Sequence, residues 1–238
     1  MRIAVISDIH GNLTALEAVL EDLRSAAPDA VLLGGDLADG GARPAEALDR
    51  VRAQGWRGVL GNVDELLLRG LAVQADALRA QTTLWDAIQA NAAATRAALG
   101  EERMAWLAGL PGEVREEGCA VVHARPGDCW RAPGIDADEA ELAETYGRLG
   151  AAVAVYGHTH VPGVRRLADG LVVVNAGSVG LPFDGDARAS YAVVENGAAT
   201  IRRVEYDVER ELRELARCGL PCAAWTAKMI RARGPAMP

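Results

Sequence analysis

The chain reads as an α/β protein built from two sheets with helices on the outside. Three features of the sequence lead there. The first half alternates short apolar, β-branched runs with amphipathic stretches of helical period, the rhythm of parallel strands covered by helices. The second half is a series of closely spaced strand-like runs broken by hairpin-type turns. Between them lies an Ala-rich stretch with no strand signal.

Taken in order, RIAVIS (2–7) is a strand apolar enough to be buried on both faces. LTALEAVLEDLRSA (13–26) carries Leu13, Leu16, Val19, Leu20 and Leu23 at helical spacing, with Asn12 as its N-cap. Strand AVLLGG, helix PAEALDRVRA with Pro44 in its first turn, and strand RGVLG follow. Residues 64 to about 110 predict two or three helices, and we take about 71–110 as a helical insert. Within it Trp85, Asn91 and Arg96 are expected to shape substrate access. Then come EVREEG, CAVVH, a helix near 138–149, AAVAVYG, VRRL, LVVVNAG, SYAVVE and ATIRRVEY, with ADG and ENG as turns. One or two amphipathic helices at about 207–232 close the chain. No internal repeat or linker divides it, so residues 1–238 read as one domain.

Composition narrows the function. With 25 Lys and Arg against 33 Asp and Glu, the net charge is −8, which argues against general nucleic-acid binding. No apolar run approaches the roughly 18 residues of a membrane span. The first strand meets Asp8 too early for a signal peptide. The four cysteines form no CxxC pair and read as reduced thiols, so the protein is expected in the cytoplasm. The composition is compatible with a homo-oligomer.

The chemistry gathers at strand ends. All four histidines follow apolar runs: His10 after RIAVISDI, His123 after CAVV, and His158 and His160 in AAVAVYGHTH. The same positions supply Asp8, Asp36 and Asn62. Ligands of open α/β sheets bind at the carboxyl ends of strands, so these seven side chains are expected to converge. Asp-x-His and His-x-His use i, i+2 spacing, which points both side chains to one side of an extended segment. Seven O and N donors without sulfur suit Mn, Fe, Zn, Co or Ni. They exceed what one ion with an open position needs, and fit two ions sharing a carboxylate.

The blocks DIHGN, GGD, GNVDE, VVH, GHTH and NAGS, spread in this order over residues 8–178, resemble the calcineurin-like metallophosphoesterase superfamily, in particular its small bacterial and archaeal phosphodiesterase branch. The resemblance implies a four-layer α-β-β-α sandwich of two mixed sheets with a helical insert. It implies two divalent metal ions, Mn foremost. Asp8, His10 and His160 would hold one, Asn62, His123 and His158 the other, with Asp36 bridging and a hydroxide between them as nucleophile. The reaction would be hydrolysis of a phosphodiester or phosphoanhydride in a small, nucleotide-type phosphorylated substrate. Asn12, Arg125, Asn175 and Ser178 are candidate substrate contacts, and Trp85, Trp106 and Trp130 candidates for stacking a base.

Two positions depart from the family pattern. Ala124 stands where a glycine is usual, and Val63 where many relatives carry the His that protonates the leaving group. Among rivals, AGSVG lacks the G-x-S-x-G spacing of a serine hydrolase, and the sole lysine, Lys228, lies far from any P-loop. A non-catalytic metal-binding scaffold on the same fold and a phosphomonoesterase are the remaining alternatives.

Overall fold

The computed structural model describes residues 1–70 and 82–238. Its ten strands form two five-stranded mixed sheets. The first contains β1 (Arg2–Ile6), β2 (Ala30–Leu33), β3 (Arg57–Gly58), β9 (Ala189–Glu195) and β10 (Ala198–Val204), in the order β10-β9-β1-β2-β3. The second contains β4 (Glu113–Glu116), β5 (Cys119–Val122), β6 (Val153–Tyr156), β7 (Gly163–Arg166) and β8 (Val172–Asn175), in the order β4-β5-β6-β8-β7. Strands β1, β2 and β3 run parallel, as do β5, β6 and β8. Antiparallel strands complete each sheet.

Strand alternation builds the layers. Ile3 and Val5 of β1 meet Val121, Val155 and Val174 of the other sheet in a dry inter-sheet core. The alternate residues Ala4 and Ile6 face Leu16, Val19 and Leu23 of α1 (Leu13–Ala26) and Leu48 of α2 (Pro44–Arg52). On the far side Ala120, Val122 and Val173 pack against Leu142 and Tyr146 of α5 (Glu139–Tyr146). The order is helix, sheet, sheet, helix, the sandwich the sequence implies.

Seven α-helices lie among the described residues. Besides α1, α2 and α5 they are α3 (Asn62–Arg69), α4 (Thr82–Ala108), α6 (Val208–Cys218) and α7 (Ala223–Ala232). Asn12 caps α1 by accepting from Ala15 N at 2.9 Å, as its position suggested. Some boundaries shift. Strand β3 pairs over only two residues, because Gly58 lies hard against Leu33 and the chain then turns into α3 at Asn62. The helix near 138–149 ends at Tyr146 and continues as a 3₁₀ turn to Leu149. Of the insert, residues 82–108 form α4, broken at Gly100 (φ 69°, ψ 175°), and residues 71–81 lie outside the described part.

Candidate metal centre

The carboxyl ends of β1, β2, β3, β5 and β6 meet on one edge and bring all seven predicted donors together. Asp8, His10 and His160 form one cluster, with His160 Nε2 3.1 Å from Asp8 Oδ1 and 3.1 Å from His10 Nε2. Asn62, His123 and His158 form the other. Asn62 Oδ1 lies 2.8 Å from His123 Nε2 and 2.9 Å from His158 Nδ1. Asp36 stands between them, its Oδ2 3.8 Å from His10 Nε2 and 3.4 Å from His123 Nε2.

The backbone bends sharply to arrange this. Asp8, His10, Asp36, His158 and His160 all have positive φ, between 50° and 65°. Left-handed backbone is uncommon outside glycine and concentrates where the surroundings over-determine it. Two glycines make room: a side chain on Gly61 would overlap the Asp36 carboxylate, and one on Gly157 would overlap Asp8 and Ser7.

A surrounding shell aims the donors. His10, His160 and His123 each direct Nδ1 at a main-chain carbonyl, of Asp39 (2.7 Å), Leu181 (2.7 Å) and Gly34 (2.8 Å). A carbonyl only accepts, so a proton sits on Nδ1, and Nε2, whose lone pair a bound cation would take, faces inward. Two such lone pairs 3.1 Å apart, beside a carboxylate oxygen, call for a positive charge among them. The oxygen and imidazole donor set suits a borderline divalent ion.

Electrostatics agree with crowding by opposite charges. Burial pushes the Asp36 carboxyl up, but His123, His10 and His158 outweigh it and hold it below the usual carboxylate range. The same contest, with His160 as the main partner, lowers Asp8. Burial pulls His123 down, yet Asp36 and Asp8 carry it up to about 10. Burial and then His160 lower His10, and burial and then His123 lower His158.

The four candidate substrate contacts are placed differently. Asn12 spends its amide on capping α1 and on Gly180 O (3.0 Å). Asn175 donates to Gly157 O (2.9 Å) and Thr159 Oγ1 (2.8 Å) and accepts from Gly177 N, tying down the GHTH loop. Ser178 donates to Asp8 O at 2.8 Å and accepts from Leu181 N. Arg125 pairs with Asp128 at 2.9 Å on a second cleft, lined also by Arg69, Glu65 and His123. None of the four lines the cavity that opens onto the donors.

That cavity, of about 260 Å³, is floored by His10, Asp36, Asn62, His158 and His160. Trp85 and Trp130 do line it, whereas Trp106 packs against the hydrophobic core. Trp225, Phe183, Leu181 and Met229 were not foreseen there. The available signal was Phe183, the only phenylalanine in the chain, set in a turn-rich stretch just past the last motif. Its ring stacks on His160 at a 4.4 Å centroid distance.

Two expectations about neighbours change. Asn91 lines the cavity and also carries a hydrogen-bond link, whereas Arg96 does not line it and has a structural task. Asn91 joins Asp39 (2.8 Å) to Cys222 N, and Arg96 caps α3 through Leu67 O (2.6 Å). Ala124 is accommodated, fully buried, with its carbonyl accepting from Tyr146 Oη at 2.7 Å.

The model of the calcineurin-like phosphoesterase superfamily domain matches residues 1–198. An uncharacterised protein of Methanocaldococcus jannaschii is 30% identical over 242 residues, covering 92% of this chain and 93% of that one. The crystal structure of a metallophosphoesterase from Sphaerobacter thermophilus superposes with a TM-score of 0.78 at 29% identity, covering 98% of this chain and 99% of the other. A protein of Pyrococcus horikoshii shares the fold, with a TM-score of 0.84 at 20% identity over 99% of both chains.

Proposed function

We propose that this chain, which belongs to the calcineurin-like phosphoesterase superfamily, is a dinuclear-metal-dependent hydrolase that cuts phosphodiesters or phosphoanhydrides by in-line attack of water. The position of Asp36 carries the reading: one carboxylate oxygen lies within 4 Å of an inward-facing nitrogen from each cluster. In this assignment Asp8, His10 and His160 hold one ion, Asn62, His123 and His158 the other, and Asp36 both. Divalent ions at such a site activate water at neutral pH and neutralise charge on the phosphoryl oxygens. Mn is our first choice, with Fe, Zn, Ni and Co accepted by the same donors.

The chain's own contribution is to hold the donors still. Asp64, fully buried, accepts from the main-chain N–H groups of Asp36 (2.8 Å), Leu37 (3.0 Å) and Gly61 (3.1 Å), fixing the turn that presents Asp36. We give Asn12, Asn175 and Ser178 the same kind of task for the loops of Asp8 and His158, and leave Arg125 as the one candidate for a distal substrate contact. We read residues 1–238 as one domain acting on small phosphorylated substrates. Among the described residues no helix is long and apolar enough to cross a membrane. Four free thiols support a cytoplasmic setting.

Chelation should abolish hydrolysis of an aryl phosphodiester, and Mn²⁺ should restore it. Asp36→Ala should lose on the order of 10³-fold in kcat, the several kcal/mol of a Lewis-acid site, and bind fewer than two ions per chain. Near-normal turnover with two bound ions in that variant would defeat the assignment. Two ions in the native protein with no turnover of any phosphoester would make it a binding scaffold.

A further inference from the structure

We infer that the cavity beside the donors selects a phosphoester whose single phosphoryl group carries a flat, uncharged ring, and that Trp85, Trp225 and Phe183 determine this specificity. The inference rests on the hydrolase reading for the direction in which the phosphoryl group points, and otherwise on the walls.

The walls are aromatic and apolar. Trp85, Trp130, Trp225 and Phe183, with Leu181 and Met229, line the cavity that reaches the donors. Aromatic walls favour flat ligands, by area and by offset or edge-to-face contact. The volume, about 260 Å³, falls just under the roughly 300–1,000 Å³ of sites for drug-sized molecules, so it suits one ring system.

Among the described residues the charge of the walls weighs against a longer phosphate chain, and so favours the phosphodiester over the phosphoanhydride. No Lys or Arg stands among the described lining residues, and the charged groups there are Asp36 and Asp39. A second phosphate in this space would be desolvated without a partner, beside a buried carboxylate.

The polar groups of the walls are already engaged. Asn91 bonds Asp39 and Cys222 N, Thr226 donates to Gly40 O, Trp130 Nε1 to Glu65, and Trp225 Nε1 to Ala236 O. The cavity therefore offers ring faces and few hydrogen bonds. It would grip a nucleobase or an aryl group by stacking, with little regard to its edge pattern. Trp225 and Met229 lie on α7, beyond the residue at which the superfamily match ends, and Trp85 lies on α4.

The test is binding to the metal-loaded protein, measured by calorimetry with non-hydrolysable phosphonates. Phenylphosphonate should bind roughly tenfold or more tightly than methylphosphonate, from burial of the ring. Trp225→Leu and Trp85→Ala should each cut that ratio severalfold with metal content unchanged. Trp225 is only half-buried, so the first variant remains informative if the second fails to fold. The phosphonate analogue of adenosine 5′-monophosphate should bind at least as well as the methylene-bridged analogue of the diphosphate. Equal affinity for phenylphosphonate and methylphosphonate, a ratio indifferent to both substitutions, or tenfold tighter binding of the diphosphate analogue would overturn the inference. Because no turnover is measured, ring preference without hydrolysis would sink the hydrolase reading alone, and hydrolysis without ring preference would sink this one alone.

Discussion

Five candidate metal donors are held at positive φ, a backbone cost of about 1–3 kcal/mol each. The convergence of the seven candidate donors was legible in the sequence, because polar residues that end apolar strands have few structural reasons to be there. The same logic led to Asn175, Ser178 and Asn12, whose side chains bond loop backbone and do not line the cavity. Loops this strained need side chains to satisfy their backbone, and a hydrogen-bonding residue at a strand end serves that need equally well. Val63 carries the residue-scale prediction. Its N–H donates to Asp36 Oδ1 at 2.9 Å and its side chain faces the cavity, where it can offer no proton to a leaving group. The neighbouring carboxyl, Asp64, is turned to three backbone N–H groups and does not line the cavity. Hydrolysis should therefore favour leaving groups that depart unaided, aryl oxides above alkoxides. A general acid contributes about 10²–10⁴-fold where it is well placed, so Val63→His should raise kcat on alkyl esters by at least about tenfold and leave aryl esters little changed. Equal native rates on alkyl and aryl esters would show that this step is not limiting, and the argument would fail.

Element types followed from period, and most boundaries fell within a residue or two. What periodicity could not supply was the partner of each helix face. The patterns of α4 and α7 mark a buried side, but only tertiary contact shows that Trp85 and Trp225 wall one cavity from positions 140 residues apart. The latch from Asp39 through Asn91 to Cys222 is illegible for the same reason. Helix α1 illustrates how such elements are fixed to the sheet. Asp22 accepts from Arg202 Nε and Nη2, both at 2.8 Å, and from Tyr191 Oη at 2.7 Å, joining α1 to β9 and β10. The Arg202 bond holds the Asp22 carboxyl below its ordinary range; burial, the next effect, opposes it, and the Tyr191 bond adds to the lowering. A carboxyl whose folded pKa is depressed stabilises the fold above its unfolded value, near about 4, and loses that contribution as pH falls through the folded value. Asp22→Asn should accordingly lower stability by about 1–2 kcal/mol at pH 7, and the gap to wild type should close below about pH 4. Denaturant melts across that range would show it. A gap that persists undiminished at pH 3 would mean that packing, and not charge, accounts for the loss.

For the whole molecule the governing quantity is charge. The chain carries −8, and two bound dications would offset only half of it. The cavity walls add no cation among the described residues, so beyond the metal centre an approaching anion meets a repulsive field. This is the reverse of an electrostatically steered enzyme, and it agrees with a ring-bearing substrate of low charge drawn in by apolar burial. Salt should then help. Between about 10 and 150 mM ionic strength the Debye length falls from roughly 30 to 8 Å, screening the distant negative surface while leaving contacts at the donors intact. The value of kcat/KM for a singly charged aryl phosphodiester should rise by roughly twofold over that interval, and that for a multiply charged phosphoester by more. Sodium chloride titrations at constant metal saturation would measure both slopes. A fall in kcat/KM with salt would mean that the local field of the metal centre governs encounter despite the acidic surface, and that low substrate charge is not what this protein selects.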